Sequence, residues 1–287
     1  MKLSILMAAY NEERTVVQAV SAVLGTEYPC PIELIVVDDG SGDRTPELLA
    51  GLDDPRLTVH RHEANQGKSA ALSTAIKLAS GTHMMPFDAD LEYSAADIPR
   101  VVEPVVSRRC EVVYGVRLFG ADTVHHRSFR YVVGNRALTM AANVLFGARI
   151  TDLHTCLKLI PLPLVRSLPL RSSGFGMDTE LTARLLRVGI RPFEVPVTYR
   201  GRSHAEGKKI GWRDGVACLS ILTRVRFSPK PKLLPPLRPL PVDWHVVPAQ
   251  PRAQSPVRPA GLNGTQAVGV AEPSDLADSP LLSMGEG

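Results

Sequence analysis

Residues 33–43 read Glu33-Leu34-Ile35-Val36-Val37-Asp38-Asp39-Gly40-Ser41-Gly42-Asp43: an apolar, β-branched run delivers two carboxylates into a Gly-Ser turn, and a helical pattern follows. Such a run reads as a strand, Glu33 to Val37. Working outward, further strands are expected at Leu3 to Ala8, Leu57 to His60, His83 to Phe87 and Glu111 to Tyr114. Helices are expected between them, at Glu12 to Leu24, Thr45 to Leu52, Lys68 to Ala79 and Ala95 to Ser107. Repeated βα units imply an α/β fold, with a mostly parallel sheet flanked by helices and right-handed crossovers. Ligands of such sheets collect beyond the carboxyl ends of the strands. Three polar clusters fall there and converge on one rim: Tyr10-Asn11-Glu12, Asp38-Asp39-Gly40-Ser41 and Asp88-Ala89-Asp90. After Tyr114 the pattern loosens into a basic stretch with Arg117, Arg127, Arg130 and Arg136. An apolar helix near Tyr131 to Phe146, a helix at Asp178 to Arg187, a strand at Phe193 to Tyr199 and a final helix from Trp212 to Arg226 are expected beyond it.

The 287 residues leave ample room for a buried core. Residues 229–287 hold 12 of the 24 prolines and show no hydrophobic period, so a single folded domain over residues 1–228 with a disordered, Pro-rich tail at 229–287 is expected. The 33 Lys and Arg against 29 Asp and Glu give a net charge of +4. The tail's own charges balance, so the whole surplus sits in the folded part, and it is too small for wrapping nucleic acid. Cys30, Cys110, Cys156 and Cys218 lie far apart with no C-x-x-C pair, which argues against a zinc knuckle or disulfide scaffold and fits a reducing compartment. No segment reaches the length needed to span a bilayer, so any membrane contact is expected from an amphipathic or basic surface.

A strand ending in Asp88-Ala89-Asp90 can present two carboxylates to one hard divalent cation, Mg²⁺ or Mn²⁺, together with substrate phosphate oxygens, though an acidic turn gives the same local pattern. Asp38 and Asp39 can accept hydrogen bonds from a nucleobase or ribose, while Ser41 or Asp43 caps the next helix. Tyr10 can stack on a base beside Asn11 and Glu12.

Taken together, these residues resemble the family 2 glycosyltransferases of GT-A, Rossmann-like fold. The resemblance rests on Ala8-Ala9-Tyr10-Asn11-Glu12, Val36 to Asp43, Asn65-Gln66-Gly67-Lys68 continuing to Ala70, Ala71 and Ala75, and Asp88 to Asp90. Within that family the chain resembles the dolichyl- and polyprenyl-phosphate glycosyl synthases, through Asp88 to Glu92, Gly115-Val116-Arg117 and the run Tyr199 to Ile210. It departs at Ala8, where Pro is usual, and at Glu92, where Gln is frequent.

The resemblance covers about residues 1–226 and implies an inverting, metal-dependent hexosyltransferase using Mg²⁺ or Mn²⁺. It implies metal ligation by Asp88 and Asp90, nucleotide contacts by Ala8, Tyr10, Glu12, Asp38, Asp39, Asp88 and Ala89, and acceptor-phosphate contacts by Arg117, Arg130, Arg202 and Lys208. Asp90, Arg117 and Arg202 would be the catalytic set, with Asp152 a candidate for the sugar or acceptor pocket. The partners implied are a nucleotide-sugar donor, GDP-mannose before UDP-glucose, and polyprenyl phosphate, reached by a cytoplasmic protein peripheral to the membrane face; nucleic acid is not among them. The alternatives are a soluble sugar or protein acceptor, which would call for a catalytic base, and a non-catalytic nucleotide-sugar-binding protein. His154 has no expected role; Asp178 is expected to favour the start of its helix, and Glu180 could face the pocket.

Overall fold

The computed structural model describes residues 1–117, 129–172, 176–201 and 212–230. Seven strands form one sheet: β1 (Leu3–Ala9), β2 (Ile32–Asp38), β3 (Leu57–Arg61), β4 (His83–Pro86), β5 (Val113–Val116), β6 (Lys158–Pro161) and β7 (Phe193–Pro196), in the order β3-β2-β1-β4-β6-β5-β7. Pairing is parallel throughout except at β6, which runs antiparallel to β4 and β5. The carboxyl ends of the other six strands therefore share one edge.

The helices are α1 (Val16–Leu24), α2 (Thr45–Ala50), α3 (Lys68–Leu78), α4 (Ile98–Val106), α5 (Phe129–Phe146), α6 (Leu162–Ser167), α7 (Gly176–Arg187) and α8 (Trp212–Phe227). Strands covered on both faces must be apolar on both, and β1 and β2 are: Leu3, Ile5 and Met7 pack with Leu34 and Val36 against α1, α2 and α4. Leu6, Ile35 and Val37 face the other way, onto Ala71, Leu72 and Ala75 of α3 and Leu181 and Leu185 of α7. A third cluster joins α5, α7 and α8 through Ala142, Ala183, Leu186, Leu222 and Val225. Each fully buried Leu, Ile or Val contributes about 1.5–3 kcal/mol of transfer free energy, enough in aggregate to hold the rim above in fixed register.

Three expectations shift. The first helix begins at Val16 rather than Glu12, because Asn11 takes a left-handed φ of 54° and residues 12–15 form a turn. The fifth strand slides two residues on, to Val113–Val116, which places Arg117 at its carboxyl end. Strand β6 and helix α6 fall where no element was expected. The sequence from residue 231 onward, with most of the expected tail, lies outside the described residues, as do Arg127, Arg202 and Lys208. Arg130 lies within α5, and its side chain is also outside them.

Candidate active site

The first two rim loops are laced to each other. The Asn11 N–H donates to Ser41 Oγ (2.9 Å), Gly42 N–H to Asn11 Oδ1 (2.9 Å), Glu12 N–H to Thr45 Oγ1 (2.9 Å) and Glu13 N–H to Asp43 Oδ2 (3.1 Å). Asp43 also receives Thr45 N–H; these bonds outweigh burial and lower its pKa. Gly40 turns the chain at φ 70°, where a Cβ would sit 2.6 Å from the Ala64 carbonyl carbon. That close approach requires glycine.

Asp38 and Asp39 are both buried. Asp38 Oδ1 accepts Ser41 N–H (3.1 Å), and its Oδ2 lies 3.2 Å from Arg61 Nε without hydrogen-bond geometry. Asp39 accepts Gln66 N–H and Gly67 N–H (3.1 and 2.7 Å) and lies 2.7 Å from His62 Nδ1. It thereby organises the loop that leads into α3. Tyr10 stays 40% exposed at the mouth, and Glu12 accepts the Thr15 hydroxyl (2.8 Å).

At the end of β4, Asp88 Oδ1 is 2.6 Å from Lys68 Nζ. Burial works against the Lys68 charge, but the neighbouring Asp88 and Asp178 carboxylates hold its pKa above the ordinary value. Cys156 is buried, and burial, then the charge of the Asp88 carboxylate, raises its thiol pKa far above the ordinary range. Ala89 is buried, Asp90 Oδ1 accepts Glu92 N–H (3.0 Å), and Leu91 holds φ 60°. A non-glycine residue in that conformation costs about 1–3 kcal/mol, strain that concentrates at functional sites. Asp88 and Asp90 supply hard carboxylate oxygens two residues apart on one strand end, a donor set that fits Mg²⁺ or Mn²⁺ completed by diphosphate oxygens.

Beyond β4, the Tyr199 hydroxyl donates to Glu92 Oε2, and the Tyr93 and Tyr199 rings meet edge to face at 5.1 Å. The Arg117 guanidinium lies over Tyr199 (5.1 Å) and makes a bidentate pair with Asp152, Nε to Oδ2 at 2.6 Å and Nη2 to Oδ1 at 2.7 Å. Asp152 also receives Asn135 Nδ2 (2.9 Å). Burial alone would raise the Asp152 pKa; the Arg117 charge and hydrogen bonds pull it down to about 2. Arg117 is therefore a largely buried, compensated arginine, its side chain 12% exposed, rather than part of a solvated basic face.

Behind this pair, His154 Nδ1 lies 2.9 Å from Asn135 Oδ1 and Nε2 lies 2.9 Å from Thr179 Oγ1. Lys158 is fully buried and reaches the backbone carbonyl of Asp178 (3.0 Å) and its Oδ1 (3.3 Å). Asp178 does lie in the first turn of α7, and its carboxylate answers Lys158. Glu180 turns away from the rim: it accepts Arg171 and Ser172 N–H (2.8 and 2.7 Å) and pairs with Arg184.

The described rim thus brings together Tyr10, Glu12, Asp38, Asp39, Asp88, Ala89, Asp90 and Arg117. Sequence reasoning gave no role to Lys68, Cys156, Asn135 or Lys158. Lys68 stood in a quoted motif, and a lone lysine in the apolar run Leu157 to Ile160 was the signal for Lys158.

Residues 4–160 match the model of glycosyl transferase family 2. The chain is 24% identical over 227 residues to UDP-N-acetylglucosamine–dolichyl-phosphate N-acetylglucosaminyltransferase of Methanococcus voltae, covering 72% of this chain and 89% of that one. It is 25% identical over 248 residues to dodecaprenyl-phosphate galacturonate synthase of Rhizobium johnstonii, covering 80% and 69%. Among solved structures, glucosyl-3-phosphoglycerate synthase of Mycobacterium tuberculosis, determined with Mn²⁺, UDP and phosphoglyceric acid, superposes with a TM-score of 0.60 at 20% identity over 79% of each chain. The expected GT-A fold is thereby found.

Proposed function

The chain belongs to glycosyl transferase family 2, and from that premise we propose that it transfers a hexose from a nucleotide sugar to polyprenyl phosphate, with inversion, at the cytoplasmic face of a membrane. The observation that carries this reading is the shared rim: a two-carboxylate strand end at Asp88 and Asp90, and a plane-fixed arginine at Arg117 two strand positions away. Two relatives whose names include a polyprenyl or dolichyl phosphate support the acceptor class.

A lipid phosphate is already anionic near neutral pH, so its attack on the anomeric carbon needs no strong general base. The phosphate oxygen forms its bond to carbon as the bond to the nucleoside diphosphate breaks, and positioning with charge stabilisation suffices. Tyr10 and the laced loops of Asp38 and Asp39 receive the nucleoside. Mg²⁺ or Mn²⁺ bound by Asp88 and Asp90 would supply Lewis-acid neutralisation of the leaving diphosphate. Lys68 adds positive charge on the same side. Arg117 spends Nε and Nη2 on Asp152 and turns its remaining donors to the acceptor phosphate. Arg130, Arg202 and Lys208 complete the acceptor side.

Among the described residues no helix is long and apolar enough to cross a membrane. Peripheral contact is supported by exposed apolar side chains on two packed helices: Val133, Met140 and Val144 on α5, and Val216 and Leu219 on α8.

Labelled sugar offered as GDP-mannose, UDP-glucose and other nucleotide sugars to polyprenyl phosphate in detergent should give a lipid product that chelator suppresses and Mn²⁺ or Mg²⁺ restores. Donor hydrolysis without lipid product, across the whole donor panel, would reject the acceptor assignment.

A further inference from the structure

At the end of α5 remote from Asn135 and Asp152, about 16 Å along the helix axis, a cavity of about 430 Å³ opens where three helices finish. The last residues of α5, the α7 terminus with Val188 and Gly189, and the last turn of α8 line it. Four positively charged residues line it, Arg187, Arg191, Arg226 and Lys230, and among the described residues no Asp or Glu does. Part of their donor capacity is spent on helix ends. Arg191 binds the carbonyls of Leu186, Phe146 and Gly147, Arg226 Nε binds that of Leu145, and Arg187 Nη2 binds that of Ser228.

That capping role does not exhaust the charge. Three helix C-termini carry about −0.5 each, against four full positive charges, so a surplus of about +2.5 remains in the cavity. The donors are not exhausted either. Arg187 Nε is buried with no hydrogen-bond partner, which costs free energy in a site meant only to be filled by protein. The η nitrogens of Arg226 are not used by Leu145. Among the described residues none of the four forms an ion pair with a carboxylate. Guanidinium groups that converge without a counter-charge suit the oxygens of a phosphate.

We propose that this cavity is a second anion site, for a phosphate group, separate from the donor and acceptor positions on the rim. Val144, which lines the cavity, and Phe227, beside Arg226, are each 78% exposed. An anionic lipid headgroup and a free phosphate both carry the chemistry required, and the test separates them.

The full chain and its Arg226→Gln/Lys230→Gln variant are compared at low salt, with the melting temperature as the control for folding. Equilibrium dialysis with radiolabelled inorganic phosphate should show at least one phosphate fewer bound by the variant, or about tenfold weaker binding at that site, with binding in the wild type declining as salt screens the cluster. Sedimentation with vesicles of phosphatidylcholine alone, and of phosphatidylcholine with phosphatidylglycerol, gives the second arm. Loss of retention on the anionic vesicles alone assigns the site to a lipid headgroup. A dialysis difference with unchanged retention assigns it to free phosphate. Equal phosphate binding and equal retention by the two proteins would overturn the proposal. Should the double variant melt early, Lys230→Glu, at an exposed position, replaces it under the same criteria. Transfer activity in detergent, read alongside, should stay within about twofold of wild type, because neither residue touches the rim; loss of transfer by the wild type's own rim variants leaves this result unaffected.

Discussion

Removing the carboxylate of Asp152 should destabilise the protein more than any other single change at the rim. The Asp152 side chain is 4% exposed and the Arg117 side chain 12%, so water cannot replace the lost partner. Asp152→Ala deletes both arms of the bidentate pair, 2.6 and 2.7 Å, together with the bond from Asn135. Leaving a buried guanidinium uncompensated costs about 3–5 kcal/mol, and for a domain of this size each kcal/mol lowers Tm by about 2–4 °C. The expected fall in Tm is therefore about 6–20 °C. Asp152→Asn keeps the shape and loses the charge. With the native pKa near 2 against the ordinary 3.8, the charged form contributes about 2 kcal/mol. Because the folded pKa is the lower one, that contribution is complete above pH 3.8 and is lost as pH falls towards 2. Urea unfolding of wild type, Asp152→Ala and Asp152→Asn at pH 7 and again near pH 2.5 reads both effects. An Asp152→Ala protein within about 1 kcal/mol of wild type at pH 7 would refute the reasoning, as would a wild-type advantage over Asp152→Asn that persists unchanged at the acid end.

Asp90→Ala should abolish transfer while the melting curve stays close to that of wild type, its Oδ1 accepting the Glu92 N–H within a local turn; near-normal transfer would remove the metal assignment. Gly40→Ala should cost at least about 2 kcal/mol, from the left-handed φ and a Cβ driven into the Ala64 backbone; denaturation at pH 7 checks it. Burial, then the charge of Lys158, depresses the His154 pKa to about 4, so its stabilising contribution is full above pH 6.5 and is lost as pH falls to 4. A His154→Gln protein should show a flatter stability profile across that window, the wild type losing up to about 3 kcal/mol through it, and identical profiles would exclude the effect. Arg117→Ala should raise the apparent KM for polyprenyl phosphate more than that for the nucleotide sugar, measured by varying each substrate in turn.

The parts of the fold that were legible are those in which local pattern and tertiary role agree. Strands β1 and β2 are buried on both faces, so their apolar runs stand out, and the polar clusters that end them are where a parallel sheet places ligands. Strand β6 is different in kind. It is four residues long, runs against its neighbours and includes Lys158, a buried charge that reads locally as a surface residue. The start of α1 was misplaced because Glu12 and Glu13 carry good helix propensity, yet their N–H groups are engaged by Thr45 and Asp43 of the next loop. Partners explain the rest. Asp88 meets Lys68 twenty residues earlier and Arg117 meets Asp152 thirty-five residues later, separations at which no periodicity connects two side chains.

The same long-range pairing decides how Arg117 is held. Asp152 can only accept, so the Asn135 amide nitrogen donates to it and the Asn135 carbonyl oxygen faces His154. His154 Nδ1 must then carry the proton, and Nε2 is left as an acceptor facing the Thr179 hydroxyl (2.9 Å) and Cys218 Sγ (3.6 Å). A second proton would put a charge on a buried ring, next to the charges of Lys158 and Arg117, in line with the depressed pKa. The bonds from Asp152 through Asn135 to His154 Nδ1 thus each have one permitted direction, set by the charge of Asp152. The series begins at the end of β5 and reaches α5 at Asn135 and α7 at Thr179, which lies 3.2 Å from Cys218 Sγ on α8. The plane of Arg117 is consequently a property of three packed helices and not of the strand that carries it. A donor fixed in that way needs little reorganisation on meeting an anion, which is the condition under which electrostatic interactions are most effective.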